Sequence, residues 1–397
     1  MVLRPAPKDL SFVLPFHLDC RPINSANAAI SWQMELLIFT VCLNIDPKTA
    51  TIGTTEFQTE PLKGKGGKMK AIFKTMSVIV AVLMVCSLAV VTANAAEKKI
   101  VVGFSQIGAE SAWRVANTES IISEAKKYPN IDLKFSDAQQ KQENQIKAIR
   151  SFIAQGVDVI AFSPVVETGW TPVLKEAKRA GIPVILSDRA VDTDDDSLWV
   201  TFMGSDFVEE GRRSAVWLVE NYERVKNPGK SMDVVNIVEL QGTVGSAPAI
   251  DRKVGFEEVM TKYPNFKIIK SQSGDFTRSK GKEVMEAFLK AEGKKIDVLY
   301  GHNDDMAIGA IQAIEEYGLK PGKDIIIVSI DAVRGAFEAM IDGKLNVTVE
   351  CSPLLGPQLF QAVNDLVAGK KLPRRIVTEE GVFPQEVAAE TLPTRKY

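Results

Sequence analysis

Histidine and cysteine are scarce: the 397 residues hold two of the first and four of the second. Their positions sharpen the shortage. His17, Cys20, Cys42 and Cys86 all fall in the first 95 residues, which read as extension and leader, so the rest of the chain keeps only His302 and Cys351. One cysteine excludes an internal disulfide. One histidine and one cysteine leave almost nothing for a His/Cys metal centre or a Ser-His-Asp triad. Charge of one sign is also missing. Lys and Arg number 48 against 50 Asp and Glu, a net charge of −2, too balanced for nucleic-acid binding by bulk electrostatics.

The apolar run from Met76 to Val91 falls short of the about 20 residues that span a bilayer. Lys70 and Lys74 precede it and Ala93-Asn94-Ala95 follows it, giving the basic start, apolar middle and small-residue cleavage site of a secretory signal peptide over 69–95. Cys86 follows Val85, not a small residue, so lipid attachment is not expected. Residues 1–68 carry no useful periodicity, and "KGKGGK" directly before Met69 is encodable as a purine-rich ribosome-binding sequence. Met69 is therefore expected to be the true start and 1–68 a spurious upstream extension. The processed chain, from about Ala96, is expected in the periplasm.

From Lys99 short β-branched runs alternate with helical stretches. "KKIVVGFSQ", "IDLKFSDA", "DVIAFSP", "IPVILSDR" and "LWVTFMGSD" read as strands. The pattern restarts with "DVVNIVELQG", "FKIIKSQSGDF", "IDVLYGHN" and "DIIIVSIDA". Near-continuous apolar strands between helices predict parallel sheets covered on both faces. Two such runs predict an α/β chain with two doubly wound lobes. Ligands of such sheets bind beyond the carboxyl ends of the strands. There the first lobe delivers Ser105, Gln106, Asp137, Ser163, Asp188 and Arg189, and the second delivers Gln241, Asp275, Phe276, Asn303 and Asp331.

Catalytic readings of these ends fail on spacing. "GFSQIG" lacks the G-x-S-x-G of a nucleophile elbow. In "SGDFTRSKGKE" the glycines are too far apart for a phosphate loop, and Glu283 stands where a hydroxyl would meet magnesium. Asp304 and Asp305 at a helix start point about 100° apart and cannot easily share one ion. They read instead as first-turn acids, with Asn303 or Asp304 as cap and Asn303 facing a ligand. A sugar fits the residue types better. Its C–H faces suit Trp113 and Phe276, and its hydroxyls suit Asp188, Arg189, Arg252, Asn303 and Asp331. Trp170 serves equally well packed on its own helix or at the mouth of the site.

Long stretches carry a family resemblance: "VGFSQIGAESAWR", "DAQQKQENQIKAIRSF", "PVVETGWTPVLKEAK", "IDRKVGF", "SQSGDFTRSKGKEVMEAF" and "HNDDMAIGAIQAI". Over Lys99 to Leu372 the chain resembles the type I periplasmic sugar-binding proteins of ABC importers, of the ribose-binding kind, and within them the galactofuranose binders. The resemblance implies a sugar site of Glu110, Trp113, Arg114, Asp188, Arg189, Arg252, Phe276, Asn303 and Asp331, with Glu350 at a hinge position where ribose binders carry glutamine. It implies no catalytic residue, metal or cofactor. Its partners would be a monosaccharide, an inner-membrane ABC permease and, instead of or besides the permease, a chemoreceptor, with the protein a monomer and no nucleic acid bound. Ala332 departs from the family, which usually has glycine there.

Three hinge crossings are also implied, near Gly204 to Asp206, Glu350 to Pro353 and Glu379 to Gly381. The lobes would then comprise 96–205 with 354–379, and 206–353 with 380–397. Sugar-responsive transcription regulators share this core, but they carry an N-terminal helix-turn-helix. Here an apolar leader occupies that place, after a stretch interrupted by Pro5, Pro7, Pro15 and Pro22. Another pentose, hexose or polyol remains open as ligand.

Overall fold

The computed structural model describes Met76, Ser77, Val80 and residues 99–397. The expected leader lies outside the described residues except for the first three, and the extension 1–68 lies wholly outside them. Among the described residues, no helix is long and apolar enough to cross a membrane.

Two six-stranded sheets repeat one pattern. The first contains β1 (Ile100–Gln106), β2 (Ile131–Asp137), β3 (Val159–Phe162), β4 (Val184–Ser187), β5 (Thr201–Gly204) and, late in the chain, β11 (Arg375–Val377). The second contains β6 (Val235–Gln241), β7 (Phe266–Ser273), β8 (Val298–Gly301), β9 (Ile326–Asp331), β10 (Val347–Glu350) and β12 (Val382–Pro384). Their spatial orders are β2-β1-β3-β4-β5-β11 and β7-β6-β8-β9-β10-β12. Every pairing is parallel except that of β10 with β12. Strand order reverses beside β1 and beside β6, which makes the crevices at their carboxyl ends the places where such sheets take ligands.

Over residues 99–397 the α-helices are α1 (Ala112–Ala125), α2 (Gln142–Gln155), α3 (Thr171–Arg179), α4 (Phe207–Val225), α5 (Ala247–Met260), α6 (Arg278–Glu292), α7 (Asp304–Glu316), α8 (Arg334–Ile341), α9 (Gly356–Val367) and α10 (Ala388–Thr391). Strand alternation decides which helices cover which face. Ile160 and Phe162 pack against Ile149 and Phe152 of α2 and Leu174 of α3. Val159 and Ala161, one residue out of phase, pack against Ile121 of α1 and Phe360 of α9. Burying a side chain such as Phe162 stabilises the lobe by about 1.5–3 kcal/mol.

Helix ends match the local chemistry. Gly156 ends α2 at φ +64, a conformation open to glycine at no steric cost. Ser111, Asp206, Thr277 and Asn303 begin α1, α4, α6 and α7, each side chain accepting from a backbone N–H of the first turn.

The chain passes between the sheets three times, from β5 to α4, from β10 to α9, and from β11 to β12. These passages fall where hinge crossings are implied. One residue from each meets the others: the Ser205 hydroxyl donates to Glu380 and lies 3.3 Å from Cys351 Sγ.

Candidate functional site

Between the carboxyl ends of the two sheets lies a narrow cleft. Nine of the ten residues expected in the site line it: Glu110, Trp113, Arg114, Asp188, Arg189, Arg252, Phe276, Asn303 and Asp331.

Glu350 does not. Its carboxylate binds the Arg395 guanidinium at 2.7 Å and accepts from the Tyr397 hydroxyl at 2.9 Å and the Gly381 amide at 3.1 Å. The reason is strand period. Neighbouring side chains on β10 point to opposite faces, so Cys351, one residue on, is the one that reaches the cleft. Glu350 instead fastens the C-terminus to the hinge. Ser111, Phe207 and Pro248 also line the cleft and were not among the residues read from the sequence.

On the first-lobe wall the Arg114 guanidinium bridges two carboxylates, at 3.0 Å from Glu110 and 2.6 Å from Asp188. Asp188 also accepts from the Ser163 hydroxyl at 2.9 Å. Burial alone would lower the Arg114 pKa, but the attraction of Asp188 and Glu110 outweighs it and the guanidinium is held above its usual range. Arg189 fares differently. Burial first, and repulsion from Arg114 second, bring it down to about 10, still fully charged near neutral pH. Its Nε and the Oε2 of Glu110 are buried without a hydrogen-bond partner.

The second-lobe wall is built around Arg252. Its Nε sits 2.7 Å from Glu210, a second nitrogen donates to the His302 carbonyl, and a third lies 3.5 Å from Asp331. Two glycines allow this. A Cβ on Gly211 would lie 2.1 Å from the Arg252 carbonyl oxygen, and one on Gly255 would lie 1.9 Å from that of Val208. Helices α4 and α5 therefore cross backbone to backbone, which brings Glu210 against Arg252. Burial pulls the Arg252 pKa down, yet Glu210, Cys351 and Asp331 together hold it above its usual range. Burial pushes the Asp331 carboxyl well up, only partly opposed by Arg252.

Two aromatic rings complete the walls. Trp113 is pinned by its indole N–H to the Cys351 carbonyl at 2.6 Å, and the Arg114 guanidinium lies 4.5 Å from its ring. Phe276 stands 5.3 Å from the Arg189 guanidinium and 6.0 Å from that of Arg252, so arginines of both lobes meet one ring. Its ring rests on Gly242, where a Cβ would come within 1.9 Å.

Several cleft residues sit at positive φ: Asp188 at +69, Phe276 at +60 and Asp331 at +125. Non-glycine residues persist there only where the surroundings over-determine them, and such strain gathers at functional sites. Ala332, beside Asp331, is at φ +59, which accounts for glycine at the matching place in the family the sequence resembles.

The "HNDD" turn divides its labour more finely than the sequence indicated. Asn303 caps α7 through Oδ1, and its amide donates to the Phe276 carbonyl at 3.1 Å. Asp304 is buried and accepts from Ser329, from Thr348 at 2.9 Å and from the Val333 amide at 2.9 Å. It thereby ties down the strained turn after β9, and burial pushes its carboxyl up to about 7. Asp305 accepts from the Ala112 amide of the other lobe. His302 is buried 3.0 Å from Glu239, behind the site. Trp170 belongs to the first-lobe core, its ring tilted against Phe162 at 4.8 Å between centroids and its N–H donating to the Val166 carbonyl.

Known proteins resemble this chain closely. A family model described as periplasmic binding protein domain matches residues 102–371. The galactofuranose-binding protein YtfQ of Escherichia coli (strain K12) is 53% identical over 300 residues, covering 75% of this chain and 92% of its own. A crystal structure from Mycobacterium smegmatis in complex with β-D-fucofuranose is 55% identical with a TM-score of 0.71, covering 75% of this chain and 95% of that one. The periplasmic binding protein component of the arabinose ABC transporter from Shewanella sp. ANA-3, bound to α- and β-L-arabinofuranose, is 55% identical with a TM-score of 0.70 and the same coverage.

Proposed function

The chain belongs to the periplasmic binding protein domain family, and from that premise we propose that it captures a furanose-ring monosaccharide of the galactofuranose kind for an ABC importer. One observation carries the ligand class. Two aromatic rings, Trp113 and Phe276, rise from opposite lobes beside buried polar atoms of Glu110 and Arg189 that have no hydrogen-bond partner. Ring faces match sugar C–H surfaces, and the charged edges match hydroxyls that both donate and accept. The proteins seen with fucofuranose and arabinofuranose support the five-membered ring.

Ligand favours closure because it touches both walls at once. Asp188, Arg189 and Trp113 hold one side, while Arg252, Asn303, Asp331 and Phe276 hold the other, so the differential contact exists only when the lobes meet. Arg114 with Glu110 and Asp188, and Arg252 with Glu210, already sit in close pairs, so the sugar meets directional hydrogen-bonding groups whose rearrangement cost is low. The reading is of binding and release without a reaction. The loaded, closed monomer would be presented in the periplasm to an inner-membrane permease, and a chemoreceptor is the alternative recipient.

Titration calorimetry of the purified protein with L-arabinose, D-galactose, D-fucose and a polyol such as glycerol tests the ligand class. Binding of the furanose-forming sugars in preference to the polyol is expected. No heat with any sugar overturns the reading.

A further inference from the structure

The closed cleft is not the end of the cavity system. A second space of about 310 Å³ adjoins it, and Glu110 and Arg189 line both. Both lobes form this vestibule. Ile107 and Val165, both buried, give it an apolar floor on the first-lobe side. Thr243, Thr277 and Lys280 of the second lobe face that floor, and Gln140 and Asp275 add an amide and a carboxylate from opposite lobes. An apolar floor under a mixed set of donors and acceptors is the pattern already seen in the inner cleft, and it suits a second ring bearing hydroxyls.

Glu110 Oε2 and Arg189 Nε, buried without a hydrogen-bond partner, the latter 3.7 Å from an Asp188 carboxylate oxygen, belong to the two residues that divide the spaces. A glycosidic oxygen or a hydroxyl beside it, passing between the cavities, would meet a donor and an acceptor there. The vestibule persists although the lobes touch at Ala112 with Asp305 and at Glu167 with Gly245, so closure on an inner ring leaves room for a substituent.

We propose that this vestibule is a second sugar subsite, so that the ligands include disaccharides whose furanose unit fills the inner cleft. The proposal rests on the monosaccharide reading above and extends its substrate class.

Calorimetry with D-galactose and with a galactofuranosyl disaccharide, on the parent protein and on Thr243→Phe and Lys280→Ala, separates the two readings. The disaccharide is expected to bind the parent at least as tightly as the monosaccharide. Thr243→Phe, which fills the vestibule, should weaken the disaccharide about tenfold or more while leaving the monosaccharide within about twofold, and Lys280→Ala should act in the same direction more weakly. Monosaccharide binding without disaccharide binding overturns the second subsite alone. Equal effects of Thr243→Phe and Lys280→Ala on both sugars also overturn it. Binding of neither sugar overturns both readings.

Discussion

The Asp305 carboxylate accepts a hydrogen bond from the Ala112 amide at 2.7 Å, so the first turn of α7 in one lobe grips the first turn of α1 in the other. Arg278 steadies the same carboxylate at 2.8 Å. A second contact, from the Glu167 amide to the Gly245 carbonyl at 2.9 Å, joins the lobes elsewhere. Together they define a closed form. Asp305→Ala is expected to weaken sugar binding by about 1.5–3 kcal/mol, the scale of a charged hydrogen bond, mainly through faster release. Stopped-flow release rates equal to those of the parent would remove Asp305 from the closure mechanism.

Asp188 answers both Arg114 and Ser163 in a buried setting. Asp188→Ala leaves the Arg114 charge with only Glu110 and should weaken binding by roughly 2–5 kcal/mol. Calorimetry on a variant with a native circular dichroism spectrum checks this, and unchanged affinity would place Asp188 outside the ligand's reach.

The close crossing of α4 and α5 has no room for a methyl group at residue 211. Gly211→Ala should cost about 1–3 kcal/mol of stability by overpacking, and it should also weaken binding, because Arg252 moves with its backbone. Urea unfolding and calorimetry read the two effects. Loss of stability with full affinity would show that Arg252 does not need that crossing.

Glu380, joined to Ser205 and to the Ser352 amide at the hinge, has its carboxyl pushed up to about 9, chiefly by burial and then by Glu210. An acid raised in the folded state holds its proton there after the unfolded chain has released it, so stability falls as pH rises from about 4.5 to 9. Glu380→Gln should flatten that slope and gain on the parent above neutral pH. Tm measured across pH 5 to 9 decides, and parallel curves for the two proteins would contradict it.

Much of this was legible in the strands. Runs such as "DVIAFSP" are apolar on both faces because both faces are covered, and the polar residue after each run marks the cleft. Asp188, Arg189, Asn303 and Asp331 were found that way. Glu350 was not, because the family match fixed its position along β10 but not the direction of its side chain. Phe207 and Pro248 follow the helix starts at Asp206 and Ser246, and only the lobe-to-lobe geometry turns them inward. Cys351 signalled nothing as a lone thiol. The close approach at Gly211 and Gly255 was likewise silent, since a glycine within a helix reads first as a cost to that helix.

Small-angle X-ray scattering of the purified protein, with and without saturating L-arabinose or D-galactose, addresses lobe closure most directly. Contraction of the radius of gyration on adding sugar, to the value given by residues 99–397 in the closed form, is the predicted result. Identical scattering curves under conditions where calorimetry records sugar binding would contradict the account.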